Sequence, residues 1–321
     1  MEFLSVMQRP SGCSEVAQDL DQEHFRKFGK KQAEKTSSLP SGGHYGHMRV
    51  CASDDEVNSV VFDIIDMAYR NKVMLRRWCT VHNILLRKDN EGSRIHRMRN
   101  ILIIEGDLQY IMKEVWARRL LSNADLLLLD LQNTKKQKVA QSAVLNHRLG
   151  LDLNLAMHSE AIIVINDAVN CYDRINLELA ALSMIRMQMV VASAIFFLTM
   201  LQSMNHFLVL GSLIMEGYLF SMEREPLDGC GQGAGWSPVS WRCVFDTVLS
   251  AIRKYQLGVL YKSSNGEFED QRDVEGFVDD SNQGLNSEGI RKYNQERGRD
   301  LTLGEAALQS NQSFEQYLSI T

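Results

Sequence analysis

Three aspartates stand where chain ends of strands can bring acids together. Asp167 closes the apolar run AIIVIN, and Asp279 and Asp280 form the tip of GFVDDSN (Gly276 to Asn282), where Gly276 to Val278 reads as strand and the rest as a turn. Adjacent acids at a turn are ordinary turn formers, because Asp hydrogen-bonds its own backbone. They gain a chemical use when an acid from a distant strand joins them. Crowded carboxylates repel, and a cation relieves the repulsion. Magnesium takes hard oxygen ligands and keeps waters that a substrate phosphate can replace. Two such ions roughly 3.5–4 Å apart can activate an attacking hydroxyl and steady a leaving oxygen. The spacing permits this convergence without establishing it.

Other residues suit a phosphate-bearing ligand. Gly229, Gly231, Gly233 and Gly235 alternate between Pro226 and Pro238, stripping side chains from one edge of backbone so that a ligand can approach. A dinucleotide fingerprint does not fit them, since no apolar strand precedes and Pro238 falls inside the helix it needs. No Walker lysine follows. Arg70, Lys72, Arg76, Arg77, Arg87, Lys88, Arg94, Arg97 and Arg99 face only Asp89 and Glu91, a footprint for phosphates or a merely solvated face. His44 and His47 form an HxxH on a Gly-rich segment, with no third metal ligand beside them.

The elements that must hold these residues follow from period and punctuation. Ser53-Asp-Asp-Glu56 has capping-box spacing, and Val60, Val61, Ile64, Ile65 and Ala68 follow on one helical face. Ile101 to Ile104 reads as a strand leading into an amphipathic helix, and Ala161 to Ile165 as a buried strand. Leu177 to about Phe220 reads as helix with one or two breaks, Trp241 to Leu257 as another helix, and Asp273 to Asn282 as strand. Residues 1–35 read as a loosely ordered arm and Thr36 to His47 as a loop. No proline occurs between Pro40 and Pro226, which favours helix, and regular βαβα alternation is missing, so the expected class is α+β.

Composition bounds the rest. The chain has 321 residues, 45% hydrophobic and 23% charged, enough for one large core or two lobes and incompatible with wholesale disorder or collagen. The net charge of −5 announces no nucleic-acid binder, but it hides a basic N-terminal half and an acidic stretch from Gly266 to Glu275. Six cysteines without a CxxC pair argue against a structural zinc site and a disulfide framework. Met1 to Pro10 lacks the cationic start of a signal peptide. Met189 to Leu201 is shorter than the ~20 residues of a membrane span and reads as a buried core helix. An intracellular place, nuclear or cytoplasmic, is expected, with no membrane partner.

Three of these pieces together resemble reverse transcriptases of non-LTR-type retroelements. NDAVNCYDRI (Asn166 to Ile175) is similar to the family's first palm motif, GCGQGAGWSP (Gly229 to Pro238) to its G-x-x-Q-G-x-x-x-S-P motif, and FVDD (Phe277 to Asp280) to its aromatic-x-Asp-Asp turn. The order and separations match. RIHRMRNILIIEGDLQ (Arg94 to Gln109) resembles the fingers segment before the palm, and TSSLPSGGHYGH an N-terminal element of some members. The resemblance implies a right-hand polymerase: an arm over residues 1–55, fingers over 56–160 and a palm over 161–321, with a central antiparallel sheet backed by helices. It implies Asp167, the carbonyl of Ala168, Asp279 and Asp280 as ligands of two Mg2+ ions, or Mn2+ in their place. Arg99 would grip the triphosphate of a dNTP, Tyr172 would exclude a ribose 2′-OH, and Gln232 and Gly233 would contact the nascent base pair. The implied partners are an RNA or DNA template-primer and a dNTP.

The chain departs from the family in places. QNTKKQKVAQSAVL (Gln132 to Leu145) stands where members carry a G-x-R-P-G-type segment, and Glu275 stands where the strand before the aspartates is apolar. Forty-one residues follow Asp280, too few for a thumb, which another chain would have to supply. Two readings stay open on sequence: an RNA-directed DNA polymerase, or a catalytically inactive retroelement remnant that at most binds nucleic acid.

Overall fold

The computed structural model describes residues 6–7, 14–17, 19–33, 39–87, 98–127, 140–168, 171–222, 227–254, 257–263, 265–277 and 280–320. It is mixed α and β, with helices and strands grouped rather than alternating, so the α+β expectation holds. The helices are α1 Gln22–Lys30, α2 Tyr45–Cys51, α3 Asp55–Arg70, α4 Gly106–Tyr110, α5 Arg118–Leu127 and α6 Ala140–Ala156. They continue as α7 Leu177–Arg186, α8 Val191–Gln202, α9 Ser237–Arg253, α10 Ser287–Arg297 and α11 Leu303–Ile320. The strands are β1 Thr80–Arg87, β2 Met98–Ile103, β3 Ala161–Asp167, β4 Asn205–Leu210 and β5 Leu213–Ile214. Then come β6 Leu219–Phe220, β7 Val259–Lys262, β8 Glu269–Arg272, β9 Val274–Phe277 and β10 Asp280–Asn286.

Two compact units form, one from Met1–Gln8, Ala124–Cys171 and Arg242–Thr321, the other from Arg9–Asn123 and Tyr172–Trp241. The resemblance implied contiguous divisions near residues 55 and 160, whereas these two units are interleaved along the chain.

In the first unit β10 is the centre of an antiparallel sheet ordered β3-β10-β9, beside a β7-β8 hairpin. One sheet face is closed by apolar packing. Ile162 and Val164 of β3 lie on a core of Leu257, Leu285, Ile290, Tyr293, Ala306 and Ala307. The other face is more open, so β3 is not the buried strand that its apolar run suggested: Ile165 is 69% exposed. An apolar run alone cannot say which face of an edge strand is covered. Asn286, fully buried, ties this unit together. Its Oδ1 accepts from the N–H groups of Leu260 and Gly289 at 3.0 and 2.9 Å, and its Nδ2 donates to Leu260 O and Asn154 Oδ1, both at 3.1 Å. It therefore ends β10, caps α10 and holds β7 at once.

In the second unit the sheet is ordered β2-β1-β4-β5, with β6 also on β4; β1 runs antiparallel to β2 and parallel to β4. Helix does not persist to Phe220, because it stops at Gln202 and NHFLVL extends as β4. Only Val209 and Phe207 in that run favour strand by type, and what fixes it is its partner β1, far back in the chain. The buried helix expected from Met189 to Leu201 appears as α8 with one face only in the core: Phe197 and Met200 are fully buried, while Val191 and Ile195 are exposed. Trp116 packs edge-on against Phe196 and Phe197 at 6.1 and 5.5 Å and donates its indole N–H to Tyr69 Oη at 2.9 Å.

The N-terminal part is more ordered than its composition suggests. α1 lies within the supposed arm, its Phe25 and Phe28 rings 5.1 and 5.6 Å from Tyr110. α2 begins at Tyr45 inside the supposed loop. α3 is capped by Asp54, whose Oδ1 accepts from Val57 N–H at 3.0 Å, not by Ser53, which donates instead to Arg49 O. α3 buries Asn58, Phe62, Ile65, Ala68 and Tyr69 and leaves Val60 and Ile64 exposed. No helix among the described residues is long and apolar enough to cross a membrane.

Candidate functional site

The antiparallel register of β10 with β3 sets Asp280 opposite Asp167, and that of β10 with β9 sets Asp280 opposite Phe277. β9 and β10 are thus a hairpin joined by Val278 and Asp279, both outside the described residues, as is the side chain of Asp280. Opposed Cα atoms in an antiparallel pair are roughly 4.5–5.5 Å apart. Two acids distant in the chain therefore share one strand end. Asp167 is exposed, and no hydrogen bond or ion pair reaches its carboxylate among the described residues. Ala168, next in the chain, is buried.

Packing explains why the hairpin lies where it does. A Cβ at Gly276 would stand 2.7 Å from the Phe245 ring, so only glycine lets β9 rest on α9. Glu275, the charge that departed from the apolar pattern, is compensated by Arg272 at 3.6 Å. Asn166 and Ser281 oppose one another one step in from the acids. Among the described residues the Nδ2 of Asn166 and the Oγ of Ser281 are buried without a hydrogen-bond partner.

Two carboxylates and a neighbouring carbonyl are hard oxygen donors, the kind that Mg2+ and Mn2+ take. Among the described residues no ion pair ties up Asp167, so this donor set fits such an ion. No group of three or more His, Cys, Asp or Glu poised for a metal occurs among the described residues, and Asp279 is not one of them. The His44-His47 pair belongs to no such group either.

The glycine-rich loop is in the second unit and is built on β2. Leu102 N–H donates to Gln232 O at 2.8 Å, and Ile101 forms a parallel bridge with Gln232. Gly229, Gly231 and Gly233 all have positive φ, at 96°, 73° and 91°, where a Cβ is strained. Gly229 N–H donates to Ile175 O and Cys230 N–H to Tyr172 O, at 2.8 and 2.7 Å. Half-buried Tyr172 therefore sits in a turn stitched to the loop. Arg99 is exposed on β2, two residues before Ile101, whose Cγ2 would be 3.0 Å from a Cβ at Gly233. Residues two apart share a strand face, so Arg99 lies on the same face of β2 as Ile101, against which Gly233 packs.

Sequence reasoning missed two residues that hold this loop. Gln109 Oε1 accepts from Gly235 N–H at 3.1 Å, and the Ser237 hydroxyl donates to Cys230 O at 2.9 Å and to Gly231 O at 2.5 Å. Both lay inside quoted motifs, Ser237 in the S-P pair and Gln109 at the end of the fingers-like segment, but neither was given a role. Burial pushes the Cys230 thiol up to about 12, so in the structure as it stands it is held as a thiol.

The basic run is less free than its charges suggest. Arg70 pairs with Asp66 at 2.8 Å, Arg77 pairs with Asp107, and Lys72 lies 4.1 Å over the Tyr69 ring. Arg76, Arg87 and Arg99 form no ion pair among the described residues. Lys88, Arg94 and Arg97 lie outside those residues. No protein-family model matches the chain, and no curated protein is similar to it.

Proposed function

We propose that the chain is a reverse transcriptase-like domain that adds dNTPs to a primer 3′-OH on an RNA or DNA template. The observation that carries the reading is the register of β10 on β3, which puts Asp167 and Asp280 of two separate motifs at one strand end. A second support is the loop bonded to β2 beside Arg99. In this reading the β3-β10-β9 sheet is the palm of a right-hand polymerase and β1-β2 belongs to its fingers.

Asp167, the Ala168 carbonyl, Asp279 and Asp280 would hold Mg2+ ions, which would neutralise phosphate charge and ease loss of the primer 3′-OH proton to water. The primer oxygen bonds to the α-phosphorus as the α–β bridging P–O bond breaks, and pyrophosphate leaves. Arg99, whose planar fork suits a triphosphate, and Tyr172, Gln232 and Gly233 keep the dNTP roles that the resemblance implies. Arg76 and Arg87 attract template phosphates, so binding weakens as salt rises.

The test is primer extension on poly(rA)·oligo(dT) with dTTP and Mg2+, beside Asp167→Asn. Asp167 is exposed and unpaired among the described residues, so the substitution leaves the fold intact. Metal-dependent extension that drops by about a thousandfold in the variant is expected. Extension indifferent to the substitution, or none above background, overturns the reading and leaves a folded remnant that at most binds nucleic acid.

A further inference from the structure

The Gly-rich segment before α2 has no task in polymerase chemistry, yet it closes a cavity of about 400 Å³ within the second unit. The walls are apolar: Phe25 of α1, Leu39, Met48 and Cys51 of α2, and Val61 and Ile64 of α3. Gly106 forms part of the lining, and a Cβ there would collide with Met48 Sδ. A space of this size with hydrocarbon walls and a few polar groups suits a compact organic molecule.

The polar end of the cavity carries one negative charge too many. Asp107 is neutralised by Arg77. Glu105, only 4% exposed, feels the same Arg77 at longer range but forms no ion pair with it, so two carboxylates share one arginine. Its oxygens accept from the N–H and hydroxyl of Ser41 at 2.8 and 3.1 Å, and no lysine or arginine pairs with it among the described residues. Nδ1 of His44 accepts from Gly46 N–H at 3.0 Å and Nδ1 of His47 from His44 N–H at 3.1 Å, so both atoms are engaged by the backbone at the start of α2. Tyr45 registers the excess: its phenol is raised by burial first and then by the charges of Glu105 and Asp107. A carboxylate buried without a counter-ion is costly, and a cation with its own apolar body removes that cost.

We propose that this cavity binds a small lipophilic monocation, its protonated amine on Glu105 and its apolar body against Phe25, Leu39, Met48 and Ile64. A neutral analogue leaves the carboxylate unpaired, and an anion meets like charge. The reading does not rest on polymerase activity, and its test uses neither nucleotide nor primer.

The experiment takes the full chain and three ligands of one shape: phenylbutylamine, phenylbutanol and phenylbutanoate. Binding is measured by calorimetry near neutral pH. Occupancy is read separately as protection of Cys51, a lining thiol, from iodoacetamide. The amine is expected to bind at least about tenfold tighter than the alcohol, to slow alkylation of Cys51, and to lose its advantage in Glu105→Gln. The carboxylate is expected not to bind. An alcohol or carboxylate that binds as tightly as the amine, or an amine silent up to about 10 mM, overturns the proposal. The three-ligand comparison on the unaltered chain decides the matter even where the variant fails to fold.

Discussion

Single glycines in the loop beside β2 differ in what they must avoid. Gly229 has φ 96°, and a Cβ there would stand 2.7–2.9 Å from the carbonyl and Cα of Asp173. Those are backbone atoms and cannot step aside. Gly211 also has positive φ, at 61°, but nothing lies within 4 Å of its Cβ position. Gly229→Ala should therefore cost about 3 kcal/mol, conformational strain plus a clash, and Gly211→Ala about 1 kcal/mol of strain alone. Urea unfolding followed by tryptophan fluorescence separates the two, and equal losses would contradict the packing. At this scale residue type was the legible part: an acid closing a strand, alternating glycines, an arginine on a strand before them. What could not be read was register. Whether Asp279 or Asp280 stands opposite Asp167 depends on how β10 packs, and a slip of one residue reverses every side chain on the strand.

Among elements, the ties that join strands to helices are few and concentrated. Asn286 serves β10, β7, α6 and α10 through four hydrogen bonds, all of them buried. Asn286→Ala leaves two N–H groups, a carbonyl and an amide without partners, so a loss of roughly 3–4 kcal/mol is expected in chemical denaturation followed by circular dichroism. A loss below ~1 kcal/mol would mean that water replaces the side chain. Nothing in the sequence singled this residue out, because an asparagine between a polar strand and a helix is an ordinary cap. Elements whose partners are local were legible. α3 follows from its own periodicity and α8 from its apolar run, whereas of the β9-β10 hairpin only the first strand was read, since the turn expected over residues 279–282 is mostly β10. Elements defined by a distant partner were not. β4 was read as helix because its stabilising neighbour β1 is supplied by the fold, and α3 was given the wrong inner face because apolar residues surround it on nearly all sides. Val60 and Ile64 look no different from Phe62 and Ile65 until the packing of α3 against α1 is known.

For the whole molecule, two units built from interleaved segments can respond differently to acid, and two buried groups make them do so. In the second unit, burial pulls His206 down to about 4 from its usual 6.5. Asn83 explains the neutral form: its Oδ1 accepts from Asn100 Nδ2, which leaves its Nδ2 to donate to Nδ1 of His206 at 3.1 Å. Between pH 6.5 and about 4 the unfolded chain binds this proton and the folded chain does not. Stability of that unit thus falls as pH is lowered through the window, by about 2 kcal/mol near pH 5. In the first unit, burial raises Asp273 to about 6 from 3.8, although Gly258 N–H donates to it. Here the folded state holds the extra proton, and stability rises as pH falls from about 6 to 3.8. All four tryptophans, Trp78, Trp116, Trp236 and Trp241, belong to the second unit, so fluorescence reports that unit while circular dichroism reports both. Lowering the pH from about 7 to about 5 should move the fluorescence midpoint to lower denaturant ahead of the circular dichroism midpoint. Glu105 is also raised by burial and acts in the opposite sense within the second unit, so the deciding comparison is His206→Asn, which keeps an acceptor for Asn83 and loses the titration. Its fluorescence midpoint should be flatter with pH than that of the unaltered chain. Parallel slopes in the two proteins would assign the acid response to some other group and remove His206 from the account.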